Sequence, residues 1–515
     1  MSTGRGLPGG VKPPGRRGAG DSAMRPVTLD KGEYRDRVQA CWLGKNIGGT
    51  LGAPFEGQMK VLDLEYFDPV PTEAAANDDL DLQMVWLKML EERGVTPRLA
   101  DFADYWLKHL APYPWDEYGF CLRNLSRGLR PPVSGWFEND FIDQMGSPIR
   151  SEIWACIAPG NPQLAAELAW KDAVLDHAGG EGVYGEMFLA ALESAAFVES
   201  DPKALIHIGL QMIPGHCAIA RSVSAALWCH TNGVPWGEAR ERILRRFGHP
   251  HPCHAPQNLA FIILGWLYGE SFGDRLCKAV NCGYDTDCTG ATLGSILGIL
   301  NGTEGIPAEW KDPVGERIVL HKFTRGLSGP KIVTELTERT AALAERLMAE
   351  RGGTVEFGEK TSVRGNRLAG LSRNERARRM LERDYDATTL PASRNVEITL
   401  HYMGGPVIRP RLPKLVGVSV EQEGHPISAK IELVAPKGWK VSLDGSRGTQ
   451  ALFTLSSDDV QDRNRLRVRF QTESEGGQAD YTLLGPGEAA GVGPAVWVET
   501  CKGCGARVEA CLCRS

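Results

Sequence analysis

Glycine returns every fourth residue in two distant stretches of this chain, at Gly44, Gly48 and Gly52 and again at Gly290, Gly294 and Gly298. A spacing of four sets each trio on one face of a helix. Glycine inside a helix costs about 1 kcal/mol relative to alanine, so two such stripes predict close-packed core helices whose backbones approach one another beside a site. Large side chains cannot be accommodated on such faces.

The second stripe begins in Gly283-Tyr284-Asp285-Thr286-Asp287-Cys288, which sets two carboxylates at the mouth of an apolar helix. A carboxylate at a helix N-terminus is an ordinary cap, but one cap needs one aspartate. No Lys or Arg occurs between Lys278 and Lys311, so the like-charged pair calls for solvent or a cation, and a hard metal ion is the leading reading. A second acidic helix start, Asn77-Asp78-Asp79-Leu80-Asp81, precedes the apolar positions Met84 and Leu87, and three acids in four residues exceed any capping need. The first glycine stripe ends at Ala53-Pro54-Phe55-Glu56-Gly57, a turn that leaves Glu56 beside the helix end; alone, Glu56 reads as a solvated turn residue.

Other candidates carry less. His177 stands in a glycine-rich segment, 176–185, that reads as a flexible loop, where it is a candidate ligand or proton donor but more commonly just a hydrogen-bonding residue. His249, His251, Cys253 and His254 cluster, yet Pro250 and Pro252 extend the loop and argue against a dedicated zinc site. Two adjacent carboxylates raise the pKa of Cys288, which makes it a packing or supporting group rather than a nucleophile.

Length and composition frame these features. A chain of 515 residues with 42% hydrophobic and 24% charged residues is globular and long enough for several domains. Its net charge of −6 gives no general attraction to nucleic acid, and no apolar run approaches the roughly 18 residues of a membrane span. Residues 1–25, rich in Gly, Pro and Arg without the apolar core of a secretory signal, read as a disordered extension of a cytoplasmic protein. Helical periodicity dominates 26–350, including Glu316 to Met348, and 351–394 reads as a helical linker whose charged helix, Ser372 to Asp384, is peripheral. Alternating runs such as Val396 to Leu400, Lys430 to Val434 and Leu466 to Phe470 then predict a β-sandwich-like domain over 395–499. Nine of thirteen cysteines are scattered, as reduced buried thiols are. The other four, Cys501, Cys504, Cys511 and Cys513, make a short Cys-rich tail, 500–515, that is a candidate Zn2+ site.

Three motifs in order, Gly44-Lys-Asn-Ile-Gly48-Gly-Thr-Leu-Gly52-Ala-Pro54-Phe-Glu56-Gly57, Asn77-Asp78-Asp79, and Asp285-Thr286-Asp287 followed by Gly290-Ala291-Thr292, resemble the ADP-ribosylglycohydrolase family. The resemblance implies an all-α orthogonal helical catalytic domain with two Mg2+ or Mn2+ ions. It makes Asp78, Asp79, Asp285 and Asp287 metal ligands, with Asn77 able to offer a carbonyl oxygen, Asp287 the bridge and a catalytic residue, and Glu56 the acid at the catalytic water. His177 and the segment holding Gly182 and Tyr184 look like the substrate-binding loop. The family usually carries Thr where this chain has Asn77 and Cys288, and a thiol is a poor ligand for a hard ion. The β region and the tail lie outside the resemblance. The implied activity is metal-dependent hydrolysis of a ribosyl N- or O-glycosidic bond in an ADP-ribosylated or other glycosyl substrate. Alternatives are a hydrolase of another small glycoside or nucleoside, or a catalytically weak nucleotide- or glycan-binding protein.

Overall fold

The two glycine stripes meet. The helices Lys31–Gly52 and Thr286–Asn301 are buried along most of their length, and a Cβ added at Gly44 would fall 2.1 Å from the Gly294 carbonyl oxygen. At Gly48 it would fall 1.9 Å from the Gly290 oxygen, and at Gly298 2.1 Å from the Ala40 oxygen. Only glycine allows two helix backbones this close. The computed structural model describes residues 27–110, 116–351, 355–362 and 368–487; the 1–25 extension and the four tail cysteines lie outside them.

Around this seam a single apolar core gathers the helices Asp78–Arg93, Ser151–Ile157, Pro162–Ala173, Glu181–Ala196, Ala255–Tyr268 and Val333–Arg351. The nine described cysteines are all free, and eight of them are buried. No described helix is long and apolar enough to cross a membrane.

Three segments differ from the sequence reading. Val27–Asp30 pairs in parallel with Val355–Gly358, so a two-stranded sheet joins the two ends of a region expected to be purely helical. Strands of four residues whose partners lie at opposite ends of that region leave no periodic signal. Residues 316–332 are not helical. Gly326 and the Gly329-Pro330 pair interrupt the chain, and the buried Asp81 carboxylate draws it inward by accepting the His321 N–H (2.5 Å) and the Thr324 hydroxyl (2.8 Å). The charged helix expected over 372–384 is only Glu375–Leu381, and it is docked rather than peripheral: Ala377 is buried, Arg376 pairs with Glu167 at 3.0 Å, and the Asn374 amide donates to the Gln211 carbonyl.

A separate β-rich region follows. One antiparallel sheet runs in the order Ala387–Pro391, Val396–His401, Lys414–Gln422, Gln450–Ser456, Lys440–Arg447, with His425–Pro426 paired to the third strand; the other is ordered Gly476–Leu484, Arg463–Gln471, Lys430–Val434. Burial alternates residue by residue along Arg463–Gln471, as it must when one sheet face is covered. Ile398, Val418 and Phe453 of the first sheet share an apolar core with Leu466, Phe470 and Tyr481 of the second, and Leu129, Val133 and Phe137 of the helical region enter the same core. Trp136 Nε1–H donates to the Tyr385 carbonyl at 2.8 Å across this junction.

Candidate metal centre

The glycine seam carries the first helix's end to the second helix's start. The Thr286 hydroxyl donates to the Gly52 carbonyl at 2.8 Å. Beyond it the two turns are laced together: Gly57 N–H donates to the Tyr284 carbonyl (2.8 Å) and Tyr284 N–H to the Gln58 carbonyl (2.9 Å). Gly283 has φ +73°, and a Cβ there would fall 2.3 Å from the Lys60 oxygen. This lacing brings Glu56 to Asp285.

Capping does not account for the aspartates. Asp285 occupies the N-cap position of Thr286–Asn301 but its side chain makes no capping bond. At the other helix the cap is Asn77, whose Oδ1 accepts the Asp79 N–H at 2.8 Å, which frees Asp78 and Asp79 from that role. Asp79 and Asp285 are fully buried and Asp287 is 7% exposed. Both carboxylate oxygens of Asp79, both of Asp285 and Oδ1 of Asp287 are buried without a hydrogen-bond partner. Such oxygens are costly unless a cation meets them.

Among the described residues, two groups of side chains are spaced to hold a metal ion: Asp79, Asp287 and Cys288, and Glu56, Cys253 and Asp285, each with ligand atoms within 4.8 Å of one another. The two helix starts and the turn at Glu56 thus converge. Asp78 belongs to neither group and accepts from the Tyr118 hydroxyl at 3.3 Å.

The electrostatics agree. Burial, then the charges of Glu56 and Asp78, push Asp287 up to about 8, and burial with Asp287 and Glu56 raises Asp285 well above the usual carboxylate range. Crowding by protein and then Asp78, Asp79 and Asp116 push Glu56 up to about 7. Glu56 keeps an exposed surface at the edge of this charge cluster. Burial and the same aspartates raise the Cys288 thiol, which fits poorly with a nucleophile.

Among the described residues Lys45 reaches the centre, and sequence reasoning missed it. Lys45 is buried, with Nζ 2.7 Å from Glu152 and 3.5 Å from Asp79; Gln83 holds the other Glu152 oxygen at 2.8 Å. Cys253 was also passed over with its histidine loop. No local pattern marks either residue, although Lys45 lies on the glycine-striped helix.

The expected substrate loop is built differently. The helix Glu181–Ala196 includes Gly182 and Tyr184 in its first turns, and Glu181 accepts the Ala218 and Ile219 amides, both at 2.8 Å. His177 is fully buried, with Nδ1 2.8 Å from Asp176 and Nε2 3.4 Å from Glu117. A Cβ at Gly182 would fall 2.4 Å from the His177 ring. Tyr184 is half-buried, with Tyr385, Cys217, Glu181 and Asp143 as its electrostatic neighbours.

Residues 30–356 match the sequence model of the ADP-ribosylglycohydrolase family, and the chain belongs to that family. The β-rich region lies outside the match. No curated protein matches the chain. Among solved structures that match, one described as "ADP-ribosylglycohydrolase-related protein complex" is 21% identical, covers 61% of this chain and 97% of its own, and has a TM-score of 0.38.

Proposed function

We propose that this chain is a metal-dependent hydrolase that cleaves a ribosyl N- or O-glycosidic bond and removes ADP-ribose from a modified protein or small molecule. The observation that carries the reading is the convergence of Asp79, Asp285 and Asp287, whose buried oxygens, both of Asp79 and of Asp285 and Oδ1 of Asp287, have no hydrogen-bond partner, beside an exposed Glu56. That donor set fits divalent cations. Asp79, Asp285 and Asp287 would hold them, with Asp78 and Asn77 beside them on the second helix start. Bound ions, Mg2+ or Mn2+ in this reading, would supply positive charge to orient a ribose cis-diol and a water.

The chain's own residues do the rest. Glu56, exposed where the others are buried, faces incoming substrate and handles the proton of the attacking water. Lys45 pairs with Asp79 from behind and partly offsets the burial that raises it. His177 acts from within, holding Glu117 and the Glu181–Ala196 helix start, while Gly182 and Tyr184 border the substrate. We read the two sheets as a sandwich packed on the catalytic region and assign the four tail cysteines a separate zinc ion.

Purified protein with Mg2+ or Mn2+ should release ADP-ribose or ribose from at least one of ADP-ribosyl-arginine, ADP-ribosyl-serine, a free nucleoside or a simple glycoside. Glu56→Gln should lose turnover while keeping the metal-induced rise in melting temperature. Tight binding of these compounds without turnover would replace the hydrolase by a nucleotide- or glycan-binding protein.

A further inference from the structure

Taking the acidic cluster as the metal centre proposed above, we infer that each half of it presents a sulfur donor, Cys288 in one and Cys253 in the other, so that the chain selects a borderline divalent ion of the zinc or cobalt kind ahead of magnesium. The thiols arrive from unrelated segments. Cys288 lies in the first turn of Thr286–Asn301, and Cys253 in the loop before Ala255–Tyr268. Cys253 is fixed through its backbone: its carbonyl accepts the Met145 N–H at 2.9 Å and its N–H donates to His251 Nδ1 at 3.3 Å.

Each sulfur falls in a separate triad, with Asp79 and Asp287 or with Glu56 and Asp285, whose ligand atoms lie within 4.8 Å of one another. Three points so spaced can all be met by one ion at about 2.0–2.3 Å after small side-chain adjustments, the usual metal–oxygen and metal–sulfur distances. An independent observation points to the same space: the buried oxygens of Asp79, Asp285 and Asp287 that have no hydrogen-bond partner. Magnesium demands near-octahedral oxygen ligation and surrenders its waters reluctantly, whereas thiolate donors favour later and softer ions. One sulfur in each half therefore shifts the whole centre along that series.

The test uses the full chain carrying Cys501→Ser, Cys504→Ser, Cys511→Ser and Cys513→Ser, so that the tail contributes no sulfur. After chelation it is titrated with Co2+ and, separately, with Mg2+, following near-ultraviolet absorption and thermal unfolding. Sulfur-to-cobalt charge-transfer absorption should appear, fall to roughly half in Cys253→Ser or Cys288→Ser, and vanish in the double variant, in line with one thiolate per ion. The melting rise should half-saturate at about tenfold lower Co2+ than Mg2+. X-ray absorption of the zinc-loaded protein, which needs neither site variant, should show sulfur at about 2.3 Å.

Stabilisation by Co2+ without charge-transfer absorption or a sulfur shell would overturn the sulfur donors and leave an oxygen-only centre standing. Saturation by Mg2+ at or below the Co2+ concentration would overturn the choice of metal. Indifference to every divalent ion would remove this inference and the proposed metal centre together.

Discussion

Two buried clusters of carboxylates lie in the helical region, and they differ in who supplies the counter-charge. In one, the Arg150 guanidinium reaches Asp172 at 2.9 Å and Asp176 at 2.8 Å, and His177 closes on Asp176 from the other side. Burial works to raise Asp176, but Arg150 and His177 outweigh it and hold the carboxyl at about 2. In the other, Asp285 and Asp287 are comparably buried and are pushed upward by burial and by neighbouring carboxylates; among the described residues Lys45 pairs with Asp79 and Glu152 rather than with either of them. Burial alone therefore does not set the fate of an aspartate. The first cluster carries its own cations, which win at Asp176 although burial still raises Asp172 beside them, while in our reading the second is completed by a cation from outside.

The largest effect should come from deleting a carboxylate of the open cluster. Asp285→Asn should lower hydrolysis by about 10³-fold or more, on the order of 4 kcal/mol of transition-state stabilisation, and abolish the metal-induced rise in melting temperature. In chelated protein the same variant should unfold no earlier than the parent, since one repelling charge has gone. Earlier unfolding of the chelated variant would mean that the carboxylate supports the fold without metal. Arg150→Met should do the reverse, stranding Asp172 and Asp176 at a cost of about 3–5 kcal/mol whether or not metal is present. Urea unfolding of both variants, with and without chelator, makes a direct two-by-two comparison.

The glycine seam links the open cluster to the fold. Gly48→Leu must push the Gly290 backbone aside, which should cost about 1–3 kcal/mol and weaken metal binding by moving Asp285 and Asp287 away from Asp79. An unchanged unfolding midpoint would sink the packing argument.

This seam and the paired acidic helix starts are legible in sequence because they are local and periodic: glycine every fourth residue, surplus acids within one turn. The convergence of Asp79 with Asp287 follows from no local pattern and came from family resemblance. Lys45 and Cys253 escaped because their meaning lies in partners far along the chain, Glu152 for one and Asp285 for the other. His177 does stand in the turn that Gly179 and Gly180 suggest, but its burial was not legible, because it depends on Gly182, which is needed so that the next helix can lie on the His177 ring. Residues 316–332 look helical by composition, yet Asp81, which reads as part of the acidic surplus, spends its carboxylate holding them in an irregular path.

A pH titration sharpens the contrast from the closed side. Burial disfavours the His177 imidazolium, but Asp176 and Glu117 outweigh it and hold His177 at about 9, above the usual 6.5. Its support for the fold is thus fully present below about 6.5 and is lost as pH rises through about 9, on the order of 3 kcal/mol. In metal-saturated protein, the urea midpoint of the parent should fall more steeply across this window than that of His177→Gln. Parallel curves would show that His177 stays neutral and that Arg150 alone secures Asp176.

The smallest effect is expected where the same charges meet in water. In the β-rich region Asp480 receives Arg467 Nε–H at 2.8 Å and is also bonded by Arg465, yet about a third of its side chain is exposed. Hydrogen bonds from Arg467 and Arg465 hold its carboxyl at about 2. Because that lies below the unfolded value of about 3.9, the contribution is present above about pH 3.9 and disappears as pH falls through about 2. Solvent screening limits it to under about 1 kcal/mol, and salt near 1 M should remove most of that. Asp480→Asn should therefore shift the unfolding midpoint only slightly at neutral pH, and less still in high salt. A loss as large as that of Arg150→Met would mean that Asp480 anchors the two sheets, and exposure would then no longer separate the weak ion pairs of this chain from the strong ones.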